Sequence, residues 1–267
     1  MIRRIALLCA ACVVAQVGAV VRGAGDDATE IMKKAFYVSK VVGSVQTVTM
    51  VLKTASGAIR VRKTAGFTKL QSNGKDSNQV VRFLSPPDVK NTSNLMIEHS
   101  DGDDDIWIYL PALKKVRRIV ASNKKDSFVG SDFSYGDVIG QRVEDWAHTV
   151  VAVGTADGAR TFVVESRPKT DAVKETTGYS KIQRTIRQDN FVTLKGEYWD
   201  LGGRPLKEIV YSELKEVDPA NKKWLAMKVE ARNLQTGHST LITFDSFRLD
   251  AGIRDEVFTT HYLEKEQ

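Results

Sequence analysis

Side chains that could perform catalysis occur in this 267-residue chain, but their spacing forms no known catalytic motif. The sequence lacks the Gly-x-Ser-x-Gly turn of serine hydrolases and the His-Glu-x-x-His helix motif of metalloproteases. Its histidines lie far apart, without the paired spacing of a metal site; they are His99, His148, His238 and His261. The sequence therefore predicts no enzyme and no cofactor, and a lipid hydrolase assembled from distant residues stays a third hypothesis.

An acidic run from Asp101 to Asp105 resembles the start of a calcium-binding loop. An EF-hand loop needs glycine at its sixth position and a carboxylate at its twelfth. Ile106 and Ala112 occupy those positions, so the EF-hand pattern fails. Two interpretations stay open: an acidic hairpin tip, which the pattern favours, and a weak surface site for calcium.

The segment 126–137 is rich in glycine, serine and aspartate, and it carries three aromatic side chains. This composition is typical of neither a helix nor a strand. The rings either anchor a loop to the core or line and close a pocket, as loops over binding sites do. As the candidate pocket wall or lid we take six aromatic residues: Trp107, Tyr109, Phe128, Phe133, Tyr135 and Trp199.

A basic cluster follows the apolar stretch that ends at Pro111. Its charged residues are Lys114, Lys115, Arg117 and Arg118. Such a cluster could dock on anionic lipid headgroups or on an acidic partner. It is also typical of an edge strand whose charges prevent edge-to-edge aggregation. The pattern favours the edge strand, and the four residues are the candidate docking surface.

The amino terminus has the pattern of a secretory signal peptide. Arg3 and Arg4 precede an apolar run over residues 5–21, and small residues follow it. We predict cleavage between residues 19 and 25, so that residues 1–25 are removed. The alternatives are an uncleaved membrane anchor and a lipid anchor at Cys12, whose flanking sequence matches that signal poorly.

Removal of residues 1–25 changes the chemistry that the mature chain can have. Both cysteines, Cys9 and Cys12, are lost, so the mature chain has no disulfide and no thiol nucleophile. Three arginines and no acidic residue are lost, which reduces the formal charge from +6 to +3. Nucleic acid is therefore not a predicted partner. The 42% hydrophobic content is ordinary for a globular protein and excludes a disordered chain or one with many membrane spans.

The elements that must position these residues are mostly strands. A helix is predicted near the start, where Asp27 or Thr29 could cap it, and a second around residues 137–146. Short runs rich in β-branched and aromatic residues follow residue 43, separated by turn pairs such as Asp157-Gly158. The predicted strands are 45–54, 58–70, 78–85, 95–99, 106–110, 114–120, 149–154, 160–167, 180–187, 191–200, 206–217, 225–233 and 239–249.

The turn pairs favour one long antiparallel sheet over alternating β-α-β units. Asparagine and glycine adopt the positive φ angles that tight hairpins need. A sheet of more than about ten twisted strands curls or splits, and its inner face must be covered. We therefore predict one domain, residues 26–267, with a curved sheet covered by helices.

Two stretches of the sequence resemble a known family. The string Asp105-Ile-Trp-Ile-Tyr-Leu-Pro-Ala-Leu-Lys-Lys-Val-Arg-Arg118 and the segment that ends at Tyr135 resemble the outer-membrane lipoprotein-sorting proteins, the LolA-like exported proteins. The carboxyl half agrees, at residues 194–198 and 233–240. The resemblance covers nearly the whole mature chain.

This resemblance implies a mainly β (α+β) fold. The expected architecture is an unclosed antiparallel β-barrel of about 11 strands, with helices across its open concave face. An apolar cavity between the helices and the sheet would accept the acyl chains of a lipid or lipoprotein.

The same resemblance implies a monomeric periplasmic carrier that passes a lipid or lipidated cargo between envelope partners. Some members of the family are associated with exporters of the resistance-nodulation-division type, which are therefore expected partners. The alternative is a lipid-responsive sensor that docks on a membrane partner through the basic cluster.

Overall fold

The computed structural model describes residues 25–265. Apart from Gly25, the predicted signal peptide, with Cys9 and Cys12, lies outside the described residues. Among residues 25–265 no helix is both long enough and apolar enough to span a bilayer.

The described residues form a single sheet of 13 strands and four α-helices. The strands are β1 (Gly43–Lys53), β2 (Ile59–Leu70), β3 (Ser77–Ser85), β4 (Ser93–Ile97), β5 (Asp105–Leu110), β6 (Lys115–Ile119), β7 (Trp146–Ala156), β8 (Ala159–Pro168), β9 (Lys181–Arg187), β10 (Thr193–Trp199), β11 (Pro205–Asp218), β12 (Lys223–Asn233) and β13 (Ser239–Leu249). The helices are α1 (Gly25–Tyr37), α2 (Tyr135–Ile139), α3 (Asp171–Thr177) and α4 (Thr260–Glu264).

Each predicted strand has its counterpart, with bounds that differ by at most three residues. The strand pattern of the residues predicted 13 strands, which is the number in the sheet, whereas the family resemblance led us to expect about 11. The hairpin between β7 and β8 turns at Asp157 and Gly158, whose φ angles of 48° and 75° are both positive. This is the geometry that two-residue hairpins require.

The helical predictions were less accurate. The predicted 137–146 helix is wrong in extent, because this stretch holds the end of α2, a short 3-10 turn and the first residue of β7. Asp27 and Thr29 lie inside α1 rather than at its cap.

The strand order leaves the sheet unclosed. It runs β6-β5-β4-β3-β2-β1-β13-β12-β11-β10-β9-β8-β7, so β6 and β7 form the two free edges. Every strand pairing among the described residues is antiparallel, from β1 with β13 at the centre to β7 with β8 at one edge. These findings confirm the predicted unclosed antiparallel architecture. Because β6 and β7 are consecutive in the chain, residues 120–145, which we call the connecting segment, must run from one edge of the sheet to the other.

Helix α1 and the connecting segment cover one face of the sheet, which we call the inner face. Ala28, Ile31 and Met32 of α1 pack with Val150 and Val164 of the sheet. The connecting segment contributes Phe128 and Phe133 to two further clusters on this face. Three hydrophobic clusters therefore join the covering elements to the sheet.

Part of the opposite face is also covered. The end of the chain, residues 250–265, packs Phe258 and Leu263 against Val80, Leu95 and Tyr109. Two bonds from the Arg82 guanidinium to the backbone carbonyls of Tyr262 and Lys265 hold this carboxyl-terminal segment in place. We call this face the outer face.

Candidate functional site

A cavity of about 320 Å³ lies on the inner face. It is bounded by α1, by residues 136–143 of the connecting segment, and by side chains from β2, β3, β7 and β9 to β12. Strands from both halves of the sheet thus contribute to one cavity, which requires the sheet to curve around it. The volume lies at the small end of the range of about 300–1,000 Å³ that is usual for ligand pockets.

The lining of the cavity is mixed. Met32 and Ala35 of α1 and Val38 just after it supply apolar surface, and Trp146 and Leu225 supply it from the sheet. Polar groups also line the cavity, among them Thr68, Gln79, Gln141, His148 and Arg184. The cavity therefore has both apolar surface and polar groups for a ligand.

Polar contacts hold the carboxyl end of helix α1 over the cavity. The Lys223 ammonium donates to the Tyr37 carbonyl at 2.9 Å, and the Trp224 amide donates to the Val38 carbonyl at 3.0 Å. Lys40 just after the helix pairs with the buried Glu98 carboxylate and lies 4.4 Å from the centre of the Phe36 ring. All of these contacts are at or just after the carboxyl end of α1, and Ala28, Ile31 and Met32 pack the rest of the helix against the sheet.

The connecting segment begins its short helix α2 with a reciprocal cap. The Ser134 hydroxyl accepts from the Asp137 amide at 3.1 Å, and the Asp137 carboxylate accepts from the Ser134 amide at 2.7 Å. This capping box satisfies donors that a helix start leaves unpaired. It also fixes the Asp137 carboxylate on the inner face.

Asp137 is the centre of a buried polar network. Its carboxylate pairs with Lys207 of β11, and both side chains are almost fully buried, at 3% and 6% exposure. The Tyr179 hydroxyl donates to the same carboxylate at 2.9 Å. Burial and the Asp137 charge raise the pKa of Tyr179, so this hydroxyl stays protonated as a donor. The network joins the connecting segment to β11 and to the loop that precedes β9.

Two further contacts fix the connecting segment. The Arg62 guanidinium of β2 donates to the Val129 carbonyl. The Thr240 hydroxyl of β13 accepts from the Asp132 amide at 3.0 Å and donates to the Asp132 carboxylate at 2.7 Å. Contacts from β2, β11 and β13 therefore reach one short stretch, residues 129–137.

Three of the six candidate aromatic residues lie in the connecting segment and pack on the inner face. The Phe128 ring lies 5.4 Å from the Tyr135 ring and 6.2 Å from the Phe83 ring. Phe133 lies in the other cluster, with Tyr179 and Tyr198. All three candidates are at most 6% exposed. The structure brings them together above the sheet, and their contact with a ligand stays a prediction.

The other three candidates do not join them. Trp107 and Tyr109 pack in the outer-face cluster with the carboxyl-terminal segment. Their neighbour Ile106 belongs to the inner-face cluster, since successive residues of a strand face opposite ways. Trp199 lies beneath the Lys181 ammonium, which is 3.8 Å from its ring. A role in a pocket wall stays a prediction for these three residues.

The four basic candidates lie at one edge of the sheet. Lys114 ends the turn before β6, and Lys115, Arg117 and Arg118 are exposed on that strand. Arg118 pairs with Asp105 of the neighbouring strand. The edge position agrees with the interpretation as a charged edge strand, and docking stays a prediction.

The acidic run is used within the protein. Asp104 pairs with Lys124 at 2.7 Å and accepts from the His99 amide at 3.0 Å. Within residues 25–265, no group of three or more histidine, cysteine or acidic side chains could hold a metal ion. The geometry therefore gives the calcium interpretation no support.

His148 is a buried polar residue that the sequence did not single out for a role. Its Nε2 lies 2.9 Å from the Val143 carbonyl, and its Nδ1 lies 2.8 Å from the Ser166 hydroxyl. Because a carbonyl only accepts, Nε2 carries the proton and Nδ1 accepts from Ser166. Burial lowers the pKa of His148, so the ring is held neutral. Ser166 is fully buried and does not line the cavity, so only the His148 side of this pair borders it.

Arg184 is a second cavity residue that the sequence analysis missed. It lies on β9 between Ile182 and Ile186, which are fully buried on the inner face. A charged residue at a position that alternation assigns to the core was the signal that could have found it.

Comparison with known proteins gives matches to solved structures and to one family model. A domain from Vibrio parahaemolyticus assigned to outer membrane lipoprotein-sorting proteins is 28% identical, with a TM-score of 0.82, over 91% of this chain and 100% of that one. A DUF1329 family protein from Desulfovibrio piger is 26% identical, with the same TM-score, over 90% and 98% of the two chains.

A LolA superfamily protein from Nitrosomonas europaea shares the fold at 19% identity, with a TM-score of 0.67, over 88% of this chain and 98% of that one. No curated protein matches the sequence. A family model described as an uncharacterized protein family matches residues 75–265, most of the chain. By the match to this model the chain belongs to that family, and it is similar in structure to an outer membrane lipoprotein-sorting domain and to a LolA superfamily protein.

Proposed function

We propose that this protein is a periplasmic carrier that binds an acyl chain of a lipid or lipidated cargo and passes it between envelope partners. The cavity beneath α1 is the observation that carries the proposal. Its position between a curved sheet and covering segments suits a ligand that must be shielded from water. The relationship to lipoprotein-sorting proteins supports the same role.

Apolar contact would supply most of the affinity. Each methylene group removed from water contributes about 0.8 kcal/mol. Met32, Ala35 and Leu225 offer such contact along the cavity wall. A carrier of this kind breaks and forms no covalent bond, which agrees with a sequence that has no nucleophile motif.

Loading would require a covering element to move, because α1 and the connecting segment enclose the cavity. The amino-terminal part of α1 packs on the sheet through Ala28, Ile31 and Met32, whereas the connecting segment is fixed by the buried Asp137–Lys207 pair. We therefore assign the entrance to α1 and a supporting role to Phe128, Phe133 and Tyr135.

The cellular setting completes the proposal. The signal peptide pattern at residues 1–25 directs the chain to export. Residues 26–267 would then act as one monomeric domain in the periplasm. An exporter of the resistance-nodulation-division type is the proposed membrane partner.

Mass spectrometry under native conditions tests the carrier function. Protein purified without detergent is expected to carry a lipid, or to take one up from vesicles. Ala35→Trp should block lipid binding, because the new ring fills the cavity beneath α1. Ala112→Trp, at an exposed position, is the matched control. Protein that stays empty after incubation with lipid would overturn the proposal.

A lipid-responsive sensor is a second candidate, and the exposed edge strand favours it. Next to the basic residues of β6, Leu113 and Val120 are 49% and 55% exposed. Exposed apolar and basic groups together suit an anionic membrane surface. Replacement of Lys115 and Arg117 by glutamate should abolish vesicle or partner capture and leave lipid uptake intact. Unchanged capture would reject the sensor.

A further inference from the structure

The inner cavity contains an arginine that has no partner. Arg184 of β9 lines the cavity, and within the described part of the chain its side chain makes no hydrogen bond and no ion pair. An arginine guanidinium carries five donors and is always charged. A group of this kind in a partly enclosed site is usually paired with an anion.

The other charged residues of the cavity wall do not serve as its partner. Each of them already has an ionic contact: Lys40 with Glu98, Asp137 with Lys207, and Arg142 with Asp145. His148 is held neutral by its buried contacts. The cavity therefore carries one positive charge that no described residue neutralises.

The sheet around Arg184 offers no acid either. Its partners on the neighbouring strands are Val164 of β8 and Gly196 of β10. The Tyr198 ring lies over Gly196, since a Cβ atom there would be 2.8 Å from the ring. An apolar side chain and an aromatic ring thus occupy the positions beside Arg184 on the sheet, and neither supplies a negative charge.

A second polar group in the same cavity lacks a partner. The amide oxygen of Gln141, which lines the cavity from the connecting segment, is buried and accepts no hydrogen bond from any residue the structure describes. A buried acceptor without a donor costs about 1–3 kcal/mol. This observation is independent of Arg184 and adds a second polar side chain of the cavity wall whose hydrogen bonds are incomplete.

We propose that Arg184 binds the oxyanion headgroup of a single-chain amphiphile, a carboxylate or a phosphate monoester, whose acyl chain lies along the apolar wall. This inference rests on the proposed carrier function and names its ligand class. Arginine pairs with planar oxyanions through two parallel hydrogen bonds. The cavity volume of about 320 Å³ favours one chain over a lipid with several.

Binding of three 16-carbon probes tests the assignment: palmitate, hexadecyl phosphate and hexadecanol, each measured by displacement of a fluorescent fatty acid. The two anions should bind the unmodified protein, and Arg184→Leu should weaken the preferred anion at least tenfold. Hexadecanol, which has no charge, should bind both proteins alike. The difference in affinity between palmitate and hexadecyl phosphate identifies the headgroup that Arg184 prefers.

Lys181→Leu is the matched control, because Lys181 is a cation of the same strand on the other face. It should leave all three affinities unchanged. Arg184→Lys keeps the charge and the fold, and it should retain part of the anion affinity. Equal anion binding by the unmodified protein and both Arg184 variants would overturn this inference. If hexadecanol still binds in that case, the carrier function is retained. If none of the three probes binds to the unmodified protein, both the carrier function and the role of Arg184 are rejected.

Discussion

At the scale of single residues, the buried Asp137–Lys207 pair is an ionic contact that holds the connecting segment on the sheet. Lys207 also donates to the Asp132 carbonyl at 3.1 Å, and its ammonium lies 5.2 Å from the Tyr179 ring centre. Removal of the charge of one partner leaves the other buried without compensation. Such a residue is expected to matter for stability whether or not it meets a ligand.

Lys207→Met should therefore lower the free energy of unfolding by about 3–5 kcal/mol. Urea unfolding followed by circular dichroism measures the change. Lys228→Met is the control. The Lys228 side chain is 42% exposed and its ammonium lies 3.8 Å from Glu213, and a surface ion pair of this kind contributes little to stability. A Lys207 variant as stable as this control would contradict a structural role for the buried pair.

His148 should make stability depend on pH. Burial lowers its pKa below the ordinary value of 6.5, so the unfolded chain binds a proton more readily than the folded one. The free energy of unfolding should thus fall as the pH drops below about 6.5, with a slope of at most about 1.4 kcal/mol per pH unit. Above that pH the contribution of the neutral ring is fully present.

Comparison with His148→Gln isolates this contribution. The stability difference between the two proteins, from urea unfolding between pH 5 and 8, should shrink toward the acidic end. Other buried groups, such as Glu98, titrate in both proteins and cancel in the difference. A difference that stays constant across this range would show that His148 does not titrate on unfolding.

At the scale of elements, the connecting segment is an irregular stretch whose position depends on contacts with distant strands. Its one helix, α2, has five residues, too few to be stable alone. The sequence predicted the strands well, because alternation and hairpin turns are local signals. It did not predict how residues 120–145 lie, because Arg62, Lys207 and Thr240, which fix them, are remote in the chain.

Thr240→Val should loosen this segment. The substitution keeps the shape of the side chain and removes both hydrogen bonds to Asp132, at a cost of about 1–3 kcal/mol. Hydrogen exchange read by mass spectrometry should become faster at residues 126–137 and stay unchanged in β8 and β9. Thr243→Val on the same strand, where no such bond is made, is the control. Equal protection of residues 126–137 from hydrogen exchange in both variants would contradict the role of Thr240 in anchoring the segment.

At the scale of the whole molecule, the sheet buries apolar side chains on both faces. Inner-face clusters contact α1 and the connecting segment, and the outer cluster contacts residues 250–265. The resemblance implied helices on the open face, and α1 and α2 lie there. The outer cover was not predicted, since a short segment at the end of a chain gives little pattern by itself.

Leu263→Ala should destabilise the whole protein by about 2–5 kcal/mol, because Leu263 is fully buried against the outer face. Chemical unfolding measures the loss, and binding of a hydrophobic dye should increase as Val80 and Leu95 become exposed. Leu234→Ala, at a position that is 46% exposed, should change neither. If both variants have the same free energy of unfolding, the carboxyl-terminal segment does not stabilise the sheet.

The sequence by itself determined the strands, their antiparallel pairing and the family resemblance, because these depend on residue types at short spacing. It also identified Phe128, Phe133 and Tyr135 as unusual. The tertiary structure alone decided which face each side chain meets: it placed Trp107 on the outer face and left Arg184 unpaired in the cavity. Such neighbourhoods arise when a long sheet curves and brings strands from both halves of the chain around one space, and no local pattern of residues encodes that curvature.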